Sequence, residues 1–113
     1  MKIYHNNRCS KSRCGLEIMN NSKQNFEVVD YIKNPLSENE IKEILKKLNF
    51  SPIQLVRKNE AIWKENYKGK ELSHSQIIKA MSENPKLIER PIVVKGDKAV
   101  IGRPPENITN LLK

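Results

Sequence analysis

The sequence predicts an α/β fold in which a βαβ half and a ββα half share one mixed sheet, with a helical insertion between the halves. Two observations carry this prediction. Short segments of strand character lie near both ends of the chain, at residues 2–5, 25–32, 91–95 and 98–101. The stretch between them carries apolar residues at helical spacing. We therefore expect a single domain, residues 1–113, with an insertion at approximately residues 37–84.

The N-terminal half predicts a strand, a helix and a second strand. The first strand ends at Asn6-Asn7, and the segment that follows carries Leu16, Ile18 and Met19 on a helical pattern. Residues 25–32 (NFEVVDYI) are rich in β-branched and aromatic residues, which favour a strand. Because a strand reached through a helix is normally parallel to the first strand, this half predicts a parallel βαβ unit.

The middle of the chain predicts helices. Ser37 and Glu40 form a capping box, and the helix that they open has apolar residues at i, i+3, i+4 and i+7. Those apolar residues are Ile41, Ile44, Leu45 and Leu48. A shorter helical segment is expected at residues 53–56, and a further helix is expected to begin at Ser73. Trp63 and Tyr67 lie four positions apart in this helical region, and we assign them a packing or surface role.

The C-terminal half predicts a hairpin and a helix. Residues 91–95 and 98–101 are strand segments joined by a two-residue Gly96-Asp97 turn. Pro104 or Pro105 can begin a terminal helix, since proline suits the first helical position. The apolar residues of that helix are Ile108, Leu111 and Leu112.

Composition and charge reduce the number of functions that the protein could have. The chain has 113 residues, 37% of them hydrophobic, and a net charge of +8. A positive surplus favours anionic partners or small oxyanions, but no zinc-finger, KH or RRM pattern is present, which argues against nucleic acid. The longest aliphatic runs have three residues, too short for a membrane span. Because His5 to Arg8 interrupt any signal-peptide core, we expect a cytoplasmic protein.

The two cysteines predict one reactive thiol. Cys9 lies between the first strand and the first helix, where the helix N-terminus stabilises a thiolate. Arg8, Lys11 and Arg13 lie close by in the sequence and are expected to lower its pKa. The alternative for Cys9 is a buried, inert loop cysteine, and Cys14 is expected to be a small packed side chain. Two cysteines cannot form a structural zinc site, and no metal is expected.

Four short motifs occur in order along the chain. They are Tyr4-His5-Asn6-x-x-Cys9-x-x-Ser12-Arg13, Leu55-x-Arg57-Lys58-Asn59, Arg90-Pro91-Ile92-Val93-Val94 and Gly102-Arg103-Pro104. Together they resemble the glutaredoxin-dependent arsenate reductases, which have a thioredoxin-like fold. The resemblance extends over essentially the whole chain.

The resemblance implies a function for each motif. The cysteine matching Cys9 is the nucleophile toward arsenate, and Arg57, Arg90 and Arg103 match arginines that line the oxyanion site. The bond matching Arg90-Pro91 is cis. Glutathione, a co-substrate rather than a bound cofactor, then attacks the thiol-bound arsenic, and glutaredoxin resolves the mixed disulfide. Three arginines suit a tetrahedral oxyanion because each presents a fixed fork of donors.

Three supporting residues have two interpretations each. His5 either tunes the thiol by hydrogen bonding or charge, or is a packed residue at a strand end. Ser12 either donates its hydroxyl to the thiolate or caps the first helix. Arg13 is either a helix-surface charge or a partner of a bound anion, since positive charge at a helix N-terminus opposes the helix dipole.

Two other functions compete with arsenate reduction. Spx-type regulators share the fold and bind RNA polymerase, but their redox switch usually reads Cys-x-x-Cys, and here Ser12 is at the second position. The other is a sibling thiol reductase that acts on a different oxyanion or on a disulfide.

Overall fold

A computed structural model describes all 113 residues, and they form two compact units. We call residues Met1–Asn34 with Arg90–Lys113 the sheet unit, and residues Pro35–Glu89 the helical unit. The predicted insertion of about residues 37–84 lies within the helical unit, which extends a few residues further at both ends. No helix of the structure is both long enough and apolar enough to cross a membrane.

The sheet unit contains one four-stranded mixed sheet. Its strands are β1 (Lys2–His5), β2 (Glu27–Asp30), β3 (Ile92–Lys95) and β4 (Lys98–Ile101), in the spatial order β2-β1-β3-β4. β1 is parallel to β2, while the pairs β1/β3 and β3/β4 are antiparallel. The predicted βαβ and ββα halves of one mixed sheet are confirmed. β2 is shorter than the predicted segment 25–32, because only its central residues pair with β1.

Two helices pack against this sheet, α1 (Ser10–Asn21) and α5 (Glu106–Leu112). The core of the sheet unit takes one fully buried side chain from each of four elements. These are Ile3 of β1, Met19 of α1, Val93 of β3 and Ile108 of α5. This packing fixes the start of α1 beside the end of β1, since only a short loop joins the two elements.

Two glycines permit close packing around Pro91. A Cβ atom on Gly15 of α1 would lie 2.7 Å from Pro91 Cγ, and one on Gly102 would lie 2.6 Å from Ile108 Cδ1. Both distances are far below van der Waals contact between carbon atoms. Positions 15 and 102 therefore exclude any larger side chain unless Pro91 or Ile108 moves.

The helical unit contains three α-helices, α2 (Glu38–Leu48), α3 (Ala61–Asn66) and α4 (His74–Glu83), and two short 3₁₀ helices, Pro52–Leu55 and Pro85–Leu87. α2 and α4 contribute the buried residues Ile41, Ile44, Leu45, Ile77, Ile78 and Met81, and Leu55, Leu87 and Ile88 are buried in and beside the 3₁₀ helices. The sequence predicted both α2 and α4 with their apolar faces, but it did not define the bounds of α3. An isolated antiparallel bridge joins Val56 to Ile88.

The expected packing or surface role of Trp63 and Tyr67 agrees with their positions on and just after α3. The two rings stack with their centroids 5.3 Å apart, and Trp63 is buried. A stacked aromatic pair of this kind adds to the stability that burial of Trp63 provides.

Candidate active site

Cys9 is the N-cap residue of α1. Its backbone N–H donates to the Asn6 carbonyl at 3.0 Å, and its own carbonyl accepts the first helical hydrogen bond from the Arg13 N–H at 3.0 Å. No side chain caps this helix, and its first turn contains no acidic residue. The Cys9 side chain is half-buried. The thiol therefore lies at an open helix N-terminus, where N–H groups lack intrahelical partners.

Arg103 approaches the thiol from the other end of the chain. Its Nη2 donates to Cys9 Sγ at 3.4 Å, and its Nε donates to the carbonyl of Arg90 at 2.7 Å. Asn107 supports this arrangement, because its side-chain amide donates to the Arg103 carbonyl at 3.2 Å. Arg90 is itself buried, with 8% of its surface exposed. The structure thus brings Cys9, Arg90 and Arg103 together in the sheet unit.

Both arginines precede a cis proline. The Arg90-Pro91 bond is cis, as the resemblance implies, and the Arg103-Pro104 bond is cis as well. Pro91 is fully buried and lies against Gly15 and Gly102. The backbone that carries Arg90 is therefore held by tight packing on its C-terminal side.

The pKa of the Cys9 thiol is lowered to about 7. Partial burial raises this pKa, but the backbone N–H of Ser12, the Arg90 guanidinium and the backbone N–H of Lys11 together outweigh the burial. Arg90 acts both as a hydrogen-bond donor and through its charge. A pKa near neutrality combines a substantial thiolate fraction with high intrinsic nucleophilicity.

The positive charge that lowers the pKa of Cys9 does not come from the residues that the sequence analysis named. Arg8, Lys11 and Arg13 were expected to lower the pKa of Cys9, yet the side chain that does so is Arg90. All three sequence neighbours are exposed, and the Arg13 guanidinium donates instead to the carbonyl of Asn7 at 2.9 Å. Exposed side chains of this kind are screened by water, whereas the buried Arg90 is not.

A buried hydrogen-bond network connects β1 to α1. The hydroxyl of Ser12, which is fully buried, lies 2.7 Å from His5 Nδ1 and accepts a hydrogen bond from the Asn6 N–H at 2.9 Å. Burial lowers the pKa of His5, while Ser12 and the Asp30 carboxylate act in the opposite direction. His5 is therefore mainly neutral at pH 7. In this arrangement the Ser12 hydroxyl holds the loop, while its backbone N–H stabilises the thiolate.

The third arginine of the predicted oxyanion site, Arg57, lies in the helical unit. Its Nη1 forms an ion pair with Glu60 Oε1 at 2.9 Å, and both side chains are about three-quarters buried. The backbone N–H of Arg57 donates to the Leu87 carbonyl at 2.7 Å. The sequence analysis did not single out Glu60, although its i+3 spacing from Arg57 could have indicated the pair. An oxyanion-binding role for Arg57 remains a prediction.

Cys14 corrects another expectation. It was expected to be a small packed side chain, but it is exposed. The reason is its position around the helix, since the buried residues of α1 are Ser12, Gly15 and Met19, at i, i+3 and i+7. Cys14 lies off that buried face. It is a free thiol at the surface.

Comparison with known proteins identifies the family. The sequence profile of the ArsC family matches residues 4–111, which is nearly the whole chain. The chain belongs to the ArsC family. Among relatives of this ArsC protein, an uncharacterized Escherichia coli protein, YfgD, is 44% identical over 99% of this chain and 96% of its own length. The arsenate reductase of Haemophilus influenzae is 42% identical over 97% of each chain.

Solved structures of the ArsC family have the same fold. The arsenate reductase from Vibrio cholerae matches with a TM-score of 0.91 and 38% identity, covering 97% of each chain. An ArsC family related protein from Bacteroides fragilis matches with a TM-score of 0.79 at only 20% identity, covering 99% of this chain and 97% of its own. The predicted thioredoxin-like fold and the resemblance to the arsenate reductase family are confirmed.

Proposed function

We propose that this protein reduces arsenate to arsenite with Cys9 as the nucleophile. The observation that carries the proposal is the arrangement of the thiol, which lies at an uncapped helix N-terminus with an Arg103 donor 3.4 Å from Sγ. The thiolate is an anion stabilised by N–H groups and guanidinium groups, and these same donors suit an incoming oxyanion. The named arsenate reductases of the family support arsenate as the substrate.

The proposed reaction has three chemical stages. The Cys9 thiolate attacks arsenic and displaces one arsenate oxygen, which leaves as water after protonation, so a sulfur–arsenic bond forms. Glutathione then attacks the thiol-bound arsenic and displaces a second oxygen, which leaves as water, so that arsenic carries both sulfurs. The two sulfurs then join as a mixed disulfide while both sulfur–arsenic bonds break. One of the two bonding pairs forms the sulfur–sulfur bond and the other stays on arsenic, which passes from As(V) to As(III) and takes up water to give arsenite. A second glutathione, acting through glutaredoxin, reduces the mixed disulfide and returns the Cys9 thiol.

The arginines have distinct proposed roles. Arg90 lowers the thiol pKa, and Arg103 orients Sγ while keeping further donors for an oxyanion. Arg57 contributes a third guanidinium, since its ion pair with Glu60 uses Nη1 and leaves other N–H donors for the substrate. Developing negative charge on the arsenate oxygens is stabilised by such preorganised donors. His5, Ser12, Arg13 and Pro91 position the loop and the arginines.

The alternative functions are less well supported by the residues present. A Spx-type regulator that binds RNA polymerase would use a Cys-x-x-Cys switch, and Ser12 has no thiol. A sibling reductase for another oxyanion or for a disulfide would use the same thiol, so only a substrate comparison separates it from an arsenate reductase. Glutathione, glutaredoxin and a cytoplasmic location are part of the same proposal.

A coupled assay tests the proposed function. NADPH consumption is followed with arsenate, glutathione, glutaredoxin and glutathione reductase, for the wild type and for the Cys9→Ala variant. Steady arsenate-dependent turnover that is lost in the variant supports the proposal. Turnover with another oxyanion but not with arsenate would assign the chain to the sibling reductases. Capture of RNA polymerase without any turnover would assign it to the regulators.

A further inference from the structure

The N-terminal end of α1 carries positive side chains that take no part in the bond-making steps of the proposed reaction, although Arg13 also holds the loop before Cys9. We call Arg8, Lys11 and Arg13 the cationic rim. All three are exposed, whereas the neighbouring Ser12 is buried, and none of the three forms an ion pair. Arg90, rather than a side chain of the rim, lowers the pKa of Cys9. Core packing, ion pairing and activation of the thiol therefore do not explain why three positive side chains lie at this position.

The charges of the rim oppose the helix dipole. Two of them lie in the first turn of α1, where positive side chains are unfavourable by a few tenths of a kcal/mol or more. The sheet unit as a whole has 11 Lys and Arg against 5 Asp and Glu, a net charge of +6, whereas the helical unit has 10 against 8. The excess positive charge of the protein is therefore concentrated in the unit that holds Cys9. Binding of an anion beside α1 would offset this repulsion.

Arg13 has the geometry for a planar anion. Its Nη1 donates to the Asn7 carbonyl at 2.9 Å, which holds the guanidinium against the loop that precedes Cys9. A guanidinium has five N–H donors, so this bond leaves further donors available at the surface. Carboxylates fit this fork, and Arg8 and Lys11 add charge on either side of Cys9 in the sequence.

We propose that the cationic rim binds the carboxylates of the small thiol or disulfide that exchanges with Cys9, so that the protein selects anionic thiols over neutral ones. The inference rests on the proposed function, in which glutathione, a tripeptide with two carboxylates, is that thiol. In exchange with a disulfide, the Cys9 thiolate attacks one sulfur and forms a mixed disulfide. The other sulfur leaves as a thiolate with the bonding electron pair.

The test compares two disulfide probes of different charge. One is 5,5′-dithiobis(2-nitrobenzoate), a dicarboxylate, and the other is the neutral 4,4′-dithiodipyridine. All proteins carry Cys14→Ser, so that only Cys9 reacts. The rim variant is Arg8→Glu with Lys11→Glu, and Arg13 is kept because its hydrogen bond to the Asn7 carbonyl also holds the loop before Cys9. The ratio of the two rate constants is the readout, because any change in the thiol pKa affects both probes alike.

A matched variant controls for net charge. Lys98→Glu with Lys113→Glu changes the charge of the same unit by the same amount. Lys98 begins β4 and pairs with Lys95, at the end of the sheet opposite His5, and Lys113 lines a surface pocket with Asn21 at the C-terminal end of α1. Circular dichroism verifies that both variants fold.

We expect the dicarboxylate-to-neutral ratio to fall about tenfold in the rim variant and less than about twofold in the control, at low salt. The difference should shrink as salt screens the exposed charges. An unchanged ratio in the rim variant, or an equal fall in both variants, would overturn the proposal.

Arsenate turnover then separates this proposal from the proposed function. The rim variant should raise the KM for glutathione several-fold more than the KM for arsenate, which the buried Arg90 and the Arg103 guanidinium are proposed to hold. A defect confined to the glutaredoxin-dependent step would show that the rim binds glutaredoxin rather than the small thiol, and it would overturn the proposal. A lowered probe ratio in a protein without arsenate turnover would support the rim while refuting arsenate reduction.

Discussion

The N-termini of α1 and α2 differ in how their backbone N–H groups are satisfied. At α2, the Ser37 hydroxyl accepts from the Glu40 N–H and the Glu40 carboxylate accepts from the Ser37 N–H, each at 3.2 Å. Glu38 adds a further acidic side chain to that first turn. At α1, Cys9 makes no capping hydrogen bond, and the first turn is basic.

The backbone does not cause this difference. Both N-cap residues are extended, with φ and ψ of −98° and 121° at Cys9 and −71° and 163° at Ser37. The side chains alone decide whether the helix end is closed or open. A capping side chain stabilises a helix by about 1 kcal/mol, so α1 gives up this stabilisation. In return, its free N–H groups are available to a thiolate and to an oxyanion.

The largest expected effect comes from giving α1 the kind of cap that α2 has. Cys9→Asp supplies a carboxylate that accepts from the N–H groups of the first turn. Turnover should fall by more than about 10³-fold, since the nucleophile is gone. The free energy of unfolding should rise by about 0.5–1 kcal/mol relative to Cys9→Ala, which lacks both thiol and cap. Urea unfolding measures this, and equal stability of the two variants would show that α1 is not an open helix end.

The second effect concerns the guanidinium that donates to the thiol at the open end of α1. Arg103→Ala removes the donors to Cys9 Sγ and to the Arg90 carbonyl. We expect kcat/KM for arsenate to fall by about 10²–10³-fold, with partial recovery in Arg103→Lys. Lys98→Ala, an exposed cation of the same unit, should change kcat/KM by less than about twofold. Wild-type kinetics for Arg103→Ala would remove this arginine from the site.

The third effect is the pH dependence of stability that the Cys9 thiol at the open helix end produces. Because the pKa of Cys9 is about 7 in the folded protein and about 8.5 in an unfolded chain, the unfolded state binds more protons between these values. The free energy of unfolding should therefore rise with pH across this window, and the gain should be lost as pH falls through 7. Urea unfolding of the wild type against Cys9→Ala measures the difference, and ultraviolet thiolate absorbance should show a midpoint near 7. Parallel pH profiles of the two proteins would contradict the lowered pKa.

The smallest effect on chemistry is expected at the closed helix end. Ser37→Ala removes one half of the capping box and should lower the free energy of unfolding by about 1 kcal/mol. Turnover per folded molecule and the Cys9 thiol pKa should stay unchanged. A shift of the thiol pKa in this variant would mean that the two helix ends are not independent.

The features that could be predicted from the sequence are those that depend on residues close together in the chain. The capping box at Ser37, the Gly96-Asp97 hairpin and the parallel βαβ unit each depend on residues close together in the chain. The candidate thiol was also found in this way, since Cys9 stands directly before α1. Local patterns of this kind specify element types well and element ends less well, which explains the shorter β2 and the undefined bounds of α3.

The features that could not be predicted depend on distant residues. Arg103 lies 94 positions from Cys9 along the chain, and only the fold shows that it donates to the thiol. Arg90 likewise replaces the nearby basic residues as the charge that lowers the thiol pKa, because burial matters more than proximity in sequence. The exposure of Cys14 depends on which face of α1 the sheet covers.

The close packing around Pro91 has a consequence for engineering this enzyme scaffold. On helix propensity alone, Gly15→Ala is a favourable design choice, worth up to about 1 kcal/mol at an interior helical position. Here the added methyl group would displace Pro91, whose neighbour Arg90 activates the thiol. A library guided by helix propensity would rank alanine highly at position 15, while selection for catalysis would discard it. The same conflict applies at Gly102, one residue before Arg103. Thermostable variants of this protein should be sought in the helical unit, where no such glycine supports the reactive cysteine.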